Sequence, residues 1–142
     1  MTRQPLVAKR AEELLGSAVV STAPVAGGDI ATANRLRLSS GQMALMKTLA
    51  HAPEGFFEAE ATGLRWLAEV TDGVSVPDVL AASADCVILA WVEPTPKNHP
   101  ETAISFGQAL ATTHLAGAAA YGFESDGFIG RLGAWSRAPG RS

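Results

Sequence analysis

Two charged residues stand where the hydrophobic pattern leaves no place for charge. In the segment MALMKTL, Met43, Leu45 and Leu49 alternate onto one face and Ala44 and Met46 onto the other, so the segment is apolar on both sides and reads as a strand inside a sheet. Lys47 interrupts it. An ammonium left unpaired in such a place costs several kcal/mol, so Lys47 either snorkels out or meets an anion. Downstream, PEGFFEAEATGLRWLAEV reads as a helix that Pro53 can open and Asp72-Gly73 can close. At about 100° per residue, Phe57, Ala61, Leu64, Leu67 and Ala68 form one stripe, with Glu58, Arg65 and Glu69 opposite. Glu60 lands inside the apolar arc. The economical reading is that cation and anion meet, and a lysine fixed by a carboxylate can hold phosphate oxygens. On spacing alone the plainer reading, an edge-strand lysine and a stripe-border carboxylate, stays open.

A third feature lies upstream. Gly27-Gly28-Asp29 joins the strand-like SAVVSTAPVA, in which Pro24 sits near the end, to IATANRLRL. Glycines allow positive φ and let backbone N–H groups approach an anion closely, which is how a phosphate loop works, but they also make any hairpin turn. The segment is not GxGxxG. Nor is it a Walker-type loop, since Lys47-Thr48 follows Met46 rather than glycines. A glycine loop, a third-strand lysine and a helix glutamate, in that order, are the parts with which ATP-dependent phosphotransferases of the protein-kinase-like class hold nucleotide phosphates.

The elements that would position these residues follow from periodicity. Ile30, Thr32, Asn34, Leu36 and Leu38 share one face of a strand and Arg35 and Arg37 the other, and SSGQ turns that strand into MALMKTL. Gln4 to Leu15 is an amphipathic helix stopped by Gly16. VPDVLAAS reads as a short strand begun by Pro77 and CVILAWV as a buried one, after which EPTPKNHP forms a polar linker. Pro100 to Ala120 reads as the longest helix, with Ala103, Phe106, Leu110, His114 and Ala118 along one side. A helical histidine among aliphatics reads as a hydrogen-bonded core residue rather than a base.

The 142 residues, 47% hydrophobic and 18% charged with a formal net charge of −3, fit one soluble domain and supply no basic face for nucleic acid. No apolar run is long enough for a signal peptide or a membrane span, which points to the cytoplasm and to no membrane partner. Cys86 is the single cysteine, in an apolar run that suggests a buried thiol. His51, His99 and His114 lack ligand spacing with one another or with Cys86, so no metal site is expected.

VAGGDI, NRLRL, MKT, FEAEATGLRWL, VPDVL and VILAWVE, in this order and spacing, closely resemble the N-terminal lobe of the fructosamine kinase (ketosamine-3-kinase) family. The resemblance runs from about Val25 to Gly130. It implies an α+β, protein-kinase-like N-terminal lobe, a five-stranded antiparallel sheet with one packed helix, plus an N-terminal helix and a long helix after the hinge. It divides the chain into a nucleotide-binding lobe over 1–93 and the hinge linker and start of a helical lobe over 94–130; beyond it RLGAWSRAPGRS, with three arginines and small residues without periodicity, reads as a disordered tail over 131–142. The activity it implies is ATP-dependent phosphoryl transfer to a hydroxyl of a ketosamine, with Mg²⁺. For ATP it nominates Gly27, Gly28, Asp29, Lys47 and Glu60, together with the Ala90 carbonyl and the Val92 N–H as hinge contacts to adenine. Ala31 is apolar where the family loop often carries a polar residue, which leaves Thr32 to supply that contact. Thr113 stands for a usual leucine and Gly127 for a common asparagine.

No segment resembles the histidine-glycine-aspartate motif of the family's C-terminal lobe, so no catalytic residue and no Mg²⁺ ligand is expected here. Asp72, Asp78, Asp85 and Asp126 lack any flanking signature of the role. Two expectations follow: a truncated nucleotide-binding portion of such a kinase, either a fragment or a natural truncation, or a non-catalytic binding or regulatory module of the same fold. In both, the stripe from Phe106 to Ala118 would lie uncovered and favour self-association.

Overall fold

The computed structural model describes residues 3–95 and 99–135. Seven of its elements build one layered unit: α1 (Arg3–Leu15), β1 (Val19–Val25), β2 (Thr32–Leu38), β3 (Met43–Thr48), α2 (Phe56–Ala68), β4 (Val79–Ser83) and β5 (Cys86–Ala90). The strands form an antiparallel sheet in the order β1-β2-β3-β5-β4, so β3 is central, as its two apolar faces require. Pro24 lies in the edge strand β1, where a missing N–H can face outward.

Each face of the sheet has its own core. Leu36, Leu38, Ala44, Met46, Cys86 and Ile88 point to one side and pack with Ala11, Val7, Leu14 and Leu15 of α1. Leu49, Val87 and Leu89 point to the other and pack with Phe57 and Ala61 of α2. Phe57, Leu36, Met46 and Ile88 are the largest wholly buried side chains, each contributing about 1.5–3 kcal/mol by leaving water. The strand β2 shows why this works, since Asn34, Leu36 and Leu38 are buried while Arg35 and Arg37 are exposed.

Polar contacts fix α1 on its face. Its chain ends at Gly16, whose N–H donates to the Glu12 carbonyl, and the Glu12 side chain accepts from the Val19 N–H at 2.8 Å, which sets where β1 begins. At the other end of the sheet, Arg10 donates to both oxygens of Asp85, at 2.9 and 3.0 Å, and Ser83 donates to the same carboxylate. That hydrogen bond from Arg10 pulls the Asp85 carboxyl down to about 2 and raises the Arg10 guanidinium. Burial pushes the Cys86 thiol up.

The helix α2 starts after Gly55 rather than at Pro53, whose carbonyl instead accepts the Phe56 N–H in a turn before the helix, and it stops short of Asp72. Beyond β5, α3 covers Pro100–Ala116. It is shorter than the reading to Ala120, because Gly117 leaves helical geometry. None of its residues is buried, and Phe106 and Leu115 are exposed. His114 is exposed too, which corrects its reading as a core residue: apolar neighbours on its own helix do not bury it where Trp66, Leu67, Val74 and Val76 opposite leave an open cavity. What ties α3 to the rest is the Val74 N–H, which donates to Thr113 Oγ1 at 2.9 Å beside Gly73. A Cβ on Gly73 would lie 2.7 Å from that hydroxyl and 2.8 Å from Val70.

The tail reading is corrected in part. Leu132–Ala134 forms β7, paired antiparallel with β6 (Gly127–Ile129), because the Gly130-Arg131 turn closes a hairpin that a three-residue strand does not announce by periodicity. Residues 136–142 lie outside the described residues.

Arg10 and Asp85 are 38% and 56% exposed, so solvent screening holds their pair to about 1 kcal/mol at most. Asp85 titrates lower folded than unfolded, so its contribution is full above the unfolded value near 3.8 and is lost as pH falls towards 2. Asp85→Asn should therefore lower the urea-unfolding free energy by up to about 1 kcal/mol near neutrality. The gap to the parent chain should close in acid, and a gap that is constant with pH would remove the carboxylate's charge from the account.

Candidate functional site

Lys47 sits in the central strand between Ala33 of β2 and Val87 of β5, on the face that carries α2. The flank at Ala33 is small, which leaves the lysine stem room to run across the sheet. Glu60 reaches it from α2, next to the wholly buried Ala61. Lys47 Nζ donates to Glu60 Oε1 at 2.6 Å, with the two side chains 31% and 27% exposed. The pair is thus neither dissolved in water nor sealed in the core. Its Coulomb attraction is felt more than at an open surface, and part of the ammonium is left to a further anion.

The pair lines a cleft of about 640 Å³. Gly27, Gly28 and Asp29 line the same cleft, so the structure brings together five of the residues singled out by sequence. Gly27 and Gly28 have φ of 120° and 86°, values that a side chain strains, and they turn the β1–β2 loop over the cleft. Thr32 does not line it. Alternation along β2 turns Ala33 to the Lys47 side and Thr32 to the other, while Ala31 lines the cleft in the loop.

Ala90 and Val92 lie at the end of β5 and do not line the cleft either. The Ala90 N–H donates to the Asp78 carbonyl and the Trp91 N–H to the Met43 carbonyl, so Ala90 turns its N–H away from β3. Between Ala90 and Val92, Trp91 donates its indole N–H to Glu93 at 2.7 Å and lies under the Arg35 guanidinium, 5.5 Å from ring centroid to Cζ. Arg35 shares the Lys47 face of the sheet through its pairing with Leu45.

Sequence reasoning missed part of the cleft wall. Phe56, Gly127, Phe128 and Gly130 line it as well, so the β6–β7 hairpin returns to the site from beyond α3. No local signal marks that return. Among the described residues no group of three or more His, Cys, Asp or Glu is placed to hold a metal ion, and no helix is long and apolar enough to cross a membrane. What the arrangement can do chemically is hold a polyanion: backbone N–H groups of a glycine loop on one side, a fixed ammonium on the other.

Comparison with known proteins gives a consistent picture. The sequence profile of the fructosamine kinase family matches residues 4–136. Among curated proteins, one described as a ketoamine kinase of Enterococcus faecium is 30% identical over 113 residues, and one so described of Thermus thermophilus is 36% identical over 107. These matches take in 77% and 75% of this chain but 38% and 36% of the relatives, so the chain spans little more than a third of their length. A solved structure described as a fructosamine-3-kinase of Thermobifida fusca superposes with a TM-score of 0.82 at 36% identity, covering 93% of this chain and 47% of that one. One from Haemophilus somnus reaches a TM-score of 0.74 at 18% identity and shares the fold.

Because the pair is part-exposed, Glu60→Gln should change the unfolding free energy by about 1 kcal/mol or less. Gly27→Ala, which forces a side chain into φ near 120°, should cost about 1–3 kcal/mol. Urea titration of both variants checks the order. A larger loss for Glu60→Gln would mean that the ion pair carries the fold rather than the site.

Proposed function

The chain belongs to the fructosamine kinase family, and we propose on that footing that it supplies the nucleotide-holding portion of an ATP-dependent phosphotransferase acting on ketosamines. The observation that carries this reading is the 2.6 Å contact between Lys47 and Glu60 on the wall of a cleft that Gly27 and Gly28 also line. ATP, when bound, supplies the phosphoryl group. Glu60 holds the Lys47 ammonium in place, and Lys47 neutralises phosphate charge at the moment when a free lysine would still be searching for its rotamer. Gly27 and Gly28 offer backbone N–H groups to the same phosphates. The Ala90 carbonyl and the Val92 N–H receive the adenine edge. In this reading residues 1–93 form the nucleotide lobe and 94–130 begin the second lobe.

The chain binds adenine nucleotide weakly and does not phosphorylate a ketosamine. Transfer needs a carboxylate aimed at the acceptor hydroxyl and ligands for Mg²⁺, and among the described residues Asp29 and Glu60 are the carboxylates that line the cleft, one of them already committed to Lys47. Missing both should cost at least several kcal/mol of transition-state stabilisation, leaving turnover near background. Calorimetric titration with ATP and Mg²⁺ should show binding that Lys47→Met abolishes. Labelled ATP with a fructosamine should show no transfer, and transfer that Lys47→Met removes would overturn this account. No nucleotide binding by the parent chain would favour the non-catalytic module instead.

The uncovered side of α3 completes the reading. With Ala103, Phe106 and His114 exposed along one side, the chain self-associates through α3. Sedimentation velocity should show an average mass that rises with concentration, and Phe106→Ser should lower it. A sharply monodisperse monomer at high concentration would dismiss the idea.

A further inference from the structure

The hairpin β6–β7 touches both walls of the cleft. On the α2 side, the Phe128 ring lies 5.3 Å from that of Phe56, inclined by 61°, and Phe56 in turn meets the wholly buried Phe57 edge-on at 5.1 Å. On the loop side, a Cβ on Gly130 would stand 3.6 Å from Ile30 Cδ1, so the hairpin turn abuts the glycine loop. The chain segment after α3 therefore packs against the two elements that carry Glu60 and the glycines.

The helix α2 needs such a support. Phe57 and Ala61 are its wholly buried residues, and Phe56 and Leu64 pack half-buried beside them, so the seam is closed at its Phe56 edge by whatever meets that ring. Glu60 lies at one edge of that seam and Phe56, one turn earlier, on the same side. Rocking away from Phe128 carries Phe56 and Glu60 together. A displacement of about 1 Å would stretch the contact to Lys47 from 2.6 Å to a separation at which no hydrogen bond exists.

We propose that Phe128 is a positioning residue: packed edge-on against Phe56, it fixes the rotation of α2 at which Glu60 engages Lys47. The hairpin from beyond the hinge thereby decides whether the phosphate-holding pair is assembled. This rests on the nucleotide reading for its consequence but not for its geometry, so the two can fail separately.

Zero-length carbodiimide coupling of Lys47 to Glu60, quantified by mass spectrometry of the joined peptides, reads the pair directly in the full chain. Phe128→Ala should lower the coupled fraction at least threefold, Phe128→Leu at least twofold, and Phe128→Tyr should restore it. Leu132→Ala, on the exposed neighbouring strand, should leave it unchanged. If Phe128→Ala does not fold, Phe128→Leu, which keeps apolar bulk without the ring edge, carries the test. Parent-level coupling in a folded Phe128→Leu chain would overturn the proposal, as would an equal loss in Leu132→Ala. ATP titration of the same variants separates the readings. Coupling that falls in a chain whose parent binds no ATP supports the positioning role and removes only the nucleotide reading.

Discussion

An ammonium in the central strand of a sheet must find an anion, and most of this architecture can be derived from that demand. Lys47 lies in β3, flanked by β2 and β5, so its stem crosses the sheet face and only its end meets the open cleft. Its partner has to come from the element laid over that face, and α2 delivers Glu60 at 2.6 Å. The rotation of α2 is set by the packing of Phe57, Ala61, Phe56 and Leu64, and at that rotation Glu60 meets Lys47 in a short charge-assisted bond. The cost of partly desolvating two charges is accepted where the reward is a cation aimed into a cleft rather than added stability.

The two-sided core is what makes such an arrangement possible. With α1 sealing one face through Ala11, Leu14 and Leu15, the sheet has one complete core that does not involve α2. The second face can then be incompletely covered. Its residues at Val87, Leu89 and Phe57 make a smaller core that ends where the cleft begins, and the glycine loop lies over that opening instead of another apolar side chain.

Much of this was legible in the sequence because it is written at short range. Alternation gave the strands and the central place of β3, and the helical stripe exposed Glu60 as the residue out of pattern. The six matching segments added the family, which periodicity alone does not contain. What could not be read was whatever depends on distant packing. His114 looked buried because its own helix is apolar, but burial is decided by what lies across from a stripe. Thr32 was nominated through the family resemblance, as the polar residue after the apolar Ala31, and only the register with β3 shows that it turns from the Lys47 side. The β6–β7 hairpin was invisible for a different reason: three-residue strands are too short to show a period, and their return to the cleft rests on contacts with Phe56 and Ile30, far off in sequence.

Gly73 has a consequence for how this chain can change over time. The loop after α2 and the helix α3 meet there so closely that a single added carbon would fall inside the van der Waals radius of Thr113 Oγ1 and of Val70. Neither neighbour can swing aside easily, since Val70 is β-branched and the Thr113 hydroxyl already bridges the Val74 N–H and the Ala109 carbonyl. Positions 70, 73 and 113 are therefore free to drift only as a set. Across a family of related sequences, a side chain at 73 should be accompanied by a smaller or differently bonded residue at 113, and the angle at which α3 leaves the sheet would be inherited through that trio rather than through the apolar stripe of the helix itself.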